Sequence, residues 1–145
     1  MKTHHYIEEK APPEFIQAVI WWACQDALNN PRIALACGAH AFALSEKDLS
    51  QESRQQIVRE CDAFWCSTKQ TIADAKGRTG WSPDVDTHEN HISNSGTNFY
   101  FARKGNGFFI ERWPDKEKRE FIEAASAFKP LILEAKDGQL FIMPC

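Results

Sequence analysis

The chain has 145 residues, of which 43% are hydrophobic and 26% are charged, as in an ordinary globular protein. This length suits one domain with its own core, over residues 1–145. The formal net charge of −3 provides no overall positive field, so nucleic-acid binding would need a local basic patch. No apolar run reaches the roughly 18 residues of a membrane span, and the N-terminus lacks the hydrophobic stretch of a secretion signal. We therefore expect a cytoplasmic protein with no membrane partner.

The cysteines are odd in number and mostly lie in apolar stretches, which favours buried, reduced thiols over a disulfide framework. The last of them ends the chain and is expected to be exposed. The five are Cys24, Cys37, Cys61, Cys66 and Cys145.

The first half of the chain is predicted to be helical. Apolar residues recur at spacings of three and four after two prolines, which predicts a helix over Pro13–Leu28. A second apolar stripe predicts a helix over Gln51–Ala75, with Ser50 as its N-cap. The Ala-rich stretch between them, Ile33–Leu44, fits a short buried helix.

The second half is predicted to contain a long loop and two β-hairpins. Residues 76–98 are rich in Gly, Ser, Asn, Asp and Pro and follow neither period, which predicts a long polar loop. Asn106-Gly107 lies between aromatic segments within residues 98–113 and is a strong signal for a hairpin turn, because both positions favour positive φ. Asp137-Gly138 indicates a second hairpin.

A helix is expected between the two hairpins. It begins at Trp113-Pro114-Asp115, ends at Lys129-Pro130 and carries an apolar stripe that includes Phe121. The predicted order is α-α-β-β-α-β-β. N-terminal helices would pack on a small antiparallel sheet, which is the α+β class.

The segments FYFARKGNGFFIER and EAASAFKPLILEAKDGQLFIM resemble a family of small uncharacterised proteins of phages, prophages and plasmids. Members carry an aromatic strand, an Arg-Asn-Gly-His-Gly turn, a Phe-Trp-Asp-Arg strand, an Ala-rich helix and an Asp-Gly hairpin. Arg103, Gly105, Gly107 and Glu111-Arg112 match this pattern, whereas Lys104 and Asn106 depart from it. The resemblance also includes the helix segment DLSQESRQQIVRECDAFW. It implies an origin in a mobile element and no particular activity.

The hairpin predicted over residues 98–113 is the candidate binding site. Its aromatic and basic side chains alternate as they do in platforms that bind single-stranded nucleic acid. The same aromatics could instead form core, or face a protein partner or a second copy of the chain. The candidate residues are Tyr100, Arg103, Lys104, Asn106, Phe109, Arg112 and Trp113.

Other chemistry is weakly indicated. His88 and His91 form a His-x-x-His pair near carboxylates that could ligate zinc, although a solvated loop explains the same residues. No spacing couples a nucleophile to a base, and no phosphate-binding loop is present, so we expect no cofactor and lean against an enzyme. The adjacent Trp21 and Trp22 are more typical of a helix core than of a ligand-stacking site, but they point about 100° apart on a helix, so one of them is expected to meet a second partner surface.

These features favour a non-catalytic accessory protein of a phage or other mobile element. It would act by binding a protein, with a host defence component as one such target, or by self-association. The alternatives are a protein that binds single-stranded nucleic acid through residues 98–113 and a metal-dependent enzyme that uses His88 and His91.

Overall fold

The computed structural model describes residues 10–29, 46–75, 88–105, 110 and 113–143. Within these ranges four α-helices come first, and a two-stranded antiparallel sheet follows at the C-terminal end, which confirms the α+β class. The helices are α1 (Pro13–Leu28), α2 (Gln51–Ala75), α3 (His88–Ala102) and α4 (Asp115–Ala125), and the strands are β1 (Leu133–Lys136) and β2 (Gln139–Ile142).

Helices α1 and α2 have the predicted bounds. Pro13 lies in the first turn of α1, where a proline costs no hydrogen bond, and the helix ends at Leu28 with Asn29 as its C-cap. The N-cap of α2 is Ser50, whose Oγ accepts a hydrogen bond from the backbone N–H of Ser53 at 3.1 Å. Both helices bury one apolar stripe and expose the opposite face.

Helix α3 replaces part of the predicted loop and the predicted first strand. The sequence predicts a loop from His88 to Asn98 and a strand after it, but His88–Ala102 is one continuous α-helix. The prediction of a first β-hairpin is therefore wrong over residues 98–102. Several of the small polar residues that suggest a loop are buried within the packed helices instead. Ser95, for example, is fully buried and donates its hydroxyl hydrogen to the backbone oxygen of His91 at 2.8 Å.

Helices α1 and α3 touch at Gly96. A Cβ atom at this position would lie 2.3 Å from the backbone oxygen of Phe15 and 3.1 Å from Cβ of Ala18. Only glycine therefore permits this backbone separation, and the turn-forming residue of the sequence pattern is in fact a helix-packing residue.

The C-terminal hairpin is confirmed at the predicted turn. Asp137 and Gly138 have φ values of 54° and 79°, the positive pair that a two-residue type I′ turn requires. Leu133 pairs with Ile142, and Ala135 pairs with Leu140. The backbone oxygen of Leu140 accepts a hydrogen bond from the backbone N–H of Ser50 at 2.7 Å. This bond holds the hairpin against the start of α2.

Aromatic rings from all four described α-helices form the centre of the core. The rings of Phe64 and Phe99 stack with centroids 3.9 Å apart and an interplanar angle of 12°. Phe15 lies 5.9 Å from Phe99, and Phe121 of α4 meets Phe64 edge-on at 5.0 Å. All four side chains are fully buried, so one core joins α1, α2, α3 and α4.

Several predictions fall on residues outside the described ranges. These are the short helix over Ile33–Leu44, residues 76–87 of the loop and the turn at Asn106-Gly107. Among the described helices, none is both long enough and apolar enough to cross a membrane.

The contact at Gly96 predicts that Gly96→Ala destabilises the protein. Alanine favours a helix over glycine by about 1 kcal/mol, but the added methyl must push two backbones apart, and overpacking of this kind costs about 1–3 kcal/mol. Urea denaturation measures the free energy of unfolding. Asn94→Ala, at a half-buried position of the same helix, is the control and should change that free energy much less. A Gly96→Ala variant as stable as wild type would show that the close contact is not required.

Candidate functional site

Tyr100 is a buried side chain of α3 rather than a stacking platform. Its hydroxyl donates a hydrogen bond to Oδ2 of Asp26 at 2.5 Å, and Nζ of Lys104 lies 2.8 Å from the same oxygen. The Lys104 ammonium is also 5.2 Å from the centre of the Tyr100 ring. Burial, together with the hydrogen bond to Asp26, raises the pKa of Tyr100 above its ordinary value. These three residues tie the end of α3 to the end of α1.

Arg103 is also internal. Its side chain is 2% exposed; Nη2 lies 2.5 Å from Oε1 of Glu60, and Nε donates to the backbone oxygen of Lys129 at 2.8 Å. The guanidinium carbon is 4.9 Å from the ring centre of Phe99 and 5.5 Å from that of Phe128. Arg103 is therefore a buried residue that links α2, α3 and the segment before β1. A nucleic acid phosphate would have to displace these contacts to reach it.

His91 and Trp113 pack against each other in the interior. Their ring centres are 5.6 Å apart, and Trp113 also meets Phe121 edge-on at 5.0 Å. Nε2 of His91 lies 2.7 Å from the backbone oxygen of Ile72, so this nitrogen is the donor, because a carbonyl oxygen can only accept. Within the described ranges, no group of three or more His, Cys, Asp or Glu side chains could hold a metal ion.

The candidate residues therefore do not form one exposed face. Lys104 is exposed, whereas Tyr100, Arg103 and Trp113 are buried and contribute to the core. The other three binding candidates, Asn106, Phe109 and Arg112, lie outside the described part of the chain, as does the side chain of the metal candidate His88.

Two of the cysteines are buried as predicted. Burial raises the pKa of the Cys24 thiol to about 11 and also raises the pKa of Cys61. Cys66 is exposed instead, and none of these three forms a disulfide. Cys37 and Cys145 lie outside the described residues.

The most exposed large apolar side chain of the described residues is Trp21, on α1. It is 48% exposed and lies beside a groove of about 400 Å³ between α1 and α3. The groove is lined by Glu14, Gln17, Ala18, Trp21, Trp22, Asn90, Ser93 and Thr97, and we call it the Trp21 groove.

The Trp21 groove is held in shape by contacts of the neighbouring tryptophan. Nε1 of Trp22 donates a hydrogen bond to Oγ1 of Thr97 at 3.1 Å, and the Trp22 ring meets Phe101 edge-on at 4.9 Å. The Trp21 ring then packs perpendicular to Trp22, with centres 4.9 Å apart. The sequence signal for this site is the Trp21-Trp22 pair, because two adjacent helix positions cannot both face one core.

Negative charge lies at one end of the groove. Among the described residues that line it, Glu14 is the only charged one, and α1 contains no Lys or Arg. Gln17, three residues further along the same helix face, donates a hydrogen bond from its amide to a carboxylate oxygen of Glu46. Glu46 is also contacted by Arg54, whose Nη2 donates to its backbone oxygen at 2.7 Å, so the negative charge that a ligand would meet along the described lining is that of Glu14.

A larger cleft of about 640 Å³ lies along the first half of α2. Its polar wall includes Glu60 and Arg103, which already pair with each other, and its apolar wall includes Phe128 and Phe141. Arg103 is almost completely enclosed, so this cleft offers a ligand little access to the guanidinium.

Comparison of the chain with protein-family models, with curated proteins and with solved structures gave no match in any of the three searches. The geometry of the described residues is thus the basis for assigning a function.

Because the phenol of Tyr100 is buried, we predict that its tendency to ionise destabilises the folded protein at high pH. Because its pKa is raised in the folded state, the unfolded chain loses this proton first as the pH rises through about 10, and unfolding becomes more favourable. The stability contributed by the protonated phenol is thus fully present below that pH and is lost above it. The limiting slope is about 1.4 kcal/mol per pH unit for one proton.

The measurement is the free energy of unfolding of wild type and Tyr100→Phe between pH 7 and pH 11. The difference between the two proteins should be constant up to about pH 9 and should then shift in favour of the variant, which has no phenol to ionise. Parallel curves over the whole range would show that the phenol ionises equally in both states.

The buried ion pair predicts strong coupling between Arg103 and Glu60. Glu60→Gln leaves the enclosed guanidinium without its counter-charge, and we expect the free energy of unfolding to fall by about 2–4 kcal/mol. This is less than for a fully buried pair, because the Glu60 side chain is 24% exposed. A double-mutant cycle with Arg103→Met should give a coupling free energy of about 1–3 kcal/mol.

The matched control for this cycle is the surface pair of Lys118 and Asp115. Nζ of Lys118 lies 3.9 Å from Oδ1 of Asp115, and the Asp115 side chain is 86% exposed. The coupling free energy of this pair should therefore not exceed about 0.5 kcal/mol. Equal coupling in the two cycles would contradict a structural role for the buried pair.

Proposed function

We propose that this protein is a non-catalytic accessory protein of a phage or other mobile element, and that it acts by binding another protein through the Trp21 groove. The mobile-element origin is supported by the sequence resemblance alone. The binding role is supported by one observation, the 48% exposure of Trp21 beside a formed groove.

An exposed tryptophan is an energetically effective contact. Aromatic side chains bury about 150–250 Å² each, so covering the exposed half of Trp21 removes on the order of 100 Å² of apolar surface from water. At about 25 cal/mol per Å², this is worth about 2–3 kcal/mol. Tryptophan is also among the residue types that most often dominate protein interfaces.

Contacts between α1 and α3 hold the sides of the groove in place. The hydrogen bond from Trp22 to Thr97 fixes one wall, and the close contact at Gly96 fixes the separation of the two helices. A partner would therefore lose its own freedom on binding while the groove loses little, which favours affinity.

The test is site-specific photo-cross-linking in host-cell lysate. A benzophenone amino acid is placed at position 90, which is exposed and lines the groove, and for comparison at position 123, which is exposed on α4. We expect a discrete protein adduct from position 90. Mass spectrometry identifies the protein in the adduct. That protein is a second copy of this chain if the chain self-associates.

Matched substitutions decide whether Trp21 carries the contact. Trp21→Ala should reduce the adduct at least tenfold, as expected for a loss of about 1.4 kcal/mol or more. Ile122→Ala removes an apolar side chain that is 38% exposed elsewhere and should leave the adduct unchanged. Identical adducts from positions 90 and 123, or none from position 90, would contradict the proposal.

A further inference from the structure

We infer that the segment bound in the Trp21 groove is a basic peptide segment, with an Arg or Lys side chain at the Glu14 end and an apolar side chain over Trp21. This inference rests on the proposed function and names the chemistry of the partner at that same site.

The charges around the groove favour a cation. Glu14 is exposed and is the only charged side chain among the described lining residues. On the α3 side the lining residues are Asn90, Ser93 and Thr97, which are uncharged. An acidic segment would meet the Glu14 carboxylate and no cation among the described lining residues, whereas a basic one would neutralise that carboxylate.

The apolar contact lies at a fixed distance from that charge. Glu14 and Trp21 are seven residues apart on one helix face, which separates them by about 10 Å along the axis. In an extended peptide, side chains two or four residues apart lie on the same face, separated by about 7 or 13 Å, and the length of an arginine side chain covers the remaining few ångströms. A single short segment can therefore place its cation near Glu14 and its apolar side chain on Trp21.

The geometry also favours arginine over lysine at this end. Glu14 and the Gln17 side-chain oxygen are acceptors on successive turns of α1, and a planar guanidinium presents several donors at once. The segment can run in either direction along α1, provided that its cation lies at the Glu14 end.

The experiment titrates blocked hexapeptides into the full chain and follows the indole N–H signals by NMR. The probes are acetyl-Ala-Arg-Ala-Leu-Ala-Ala-amide and its sequence reversal, and the controls replace Arg by Glu or Leu by Ser. We expect at least one arginine probe to bind with a millimolar or lower Kd, to weaken with added salt, and to bind at least tenfold more tightly than both controls.

Variants of the protein locate the contact. Glu14→Gln should weaken the arginine probe severalfold and should remove most of its salt dependence, whereas Trp21→Ala should weaken both arginine and glutamate probes. Glu123→Gln, at an exposed position on α4, is the matched control and should change nothing.

The result that overturns the inference is either equal binding of the arginine and glutamate probes or no binding by any probe. If the adduct at position 90 still forms and still requires Trp21, then the proposed function stands and only the basic character of the partner is wrong. If that adduct is missing, the proposed function itself fails.

Discussion

The contact of α1 with α3 at Gly96 is the constraint on which the rest of the structure depends. From this point the contacts advance along both helices in the same direction, from Ala18 against Gly96 to Trp22 with Thr97 and then Asp26 with Tyr100. The same close approach brings Phe15 against the stacked pair of Phe64 and Phe99. Aromatic packing and the polar ties thus share one interface, and both depend on a residue that has no side chain.

Polar groups in this core specify how the helices meet. Arg103 links α2 and α3 to the segment before β1 through one ion pair, one backbone hydrogen bond and two ring contacts. Burying a charge in this way contributes little net stability, but a shifted arrangement would leave the guanidinium without acceptors. The aromatic core favours compaction in general, whereas Arg103 and Tyr100 favour this particular packing.

The candidate binding surface is a consequence of the same interface. Trp22 faces α3 and is fixed there, whereas position 21, rotated from it by about 100°, faces outward. Trp21 is therefore exposed at the edge of the groove that the two helices form. The sequence indicates that one tryptophan of the pair faces a partner, but it places the main binding residues near Tyr100 and Arg103, which the structure encloses.

The sequence by itself determined the elements that have strong local signals. The bounds of α1 and α2, the start of α4 after Pro114 and the turn at Asp137-Gly138 all follow from caps, prolines, helical periodicity and positive-φ residues. Only the tertiary structure decided the state of residues 88–102. Their glycine, serine and asparagine residues favour turns in isolation, and the aromatic residues that follow favour strands, but packing on α1 requires small residues at the contact and large rings beside it. That requirement is non-local, because it depends on a helix about 75 residues earlier in the chain, and it also determines which tryptophan is exposed.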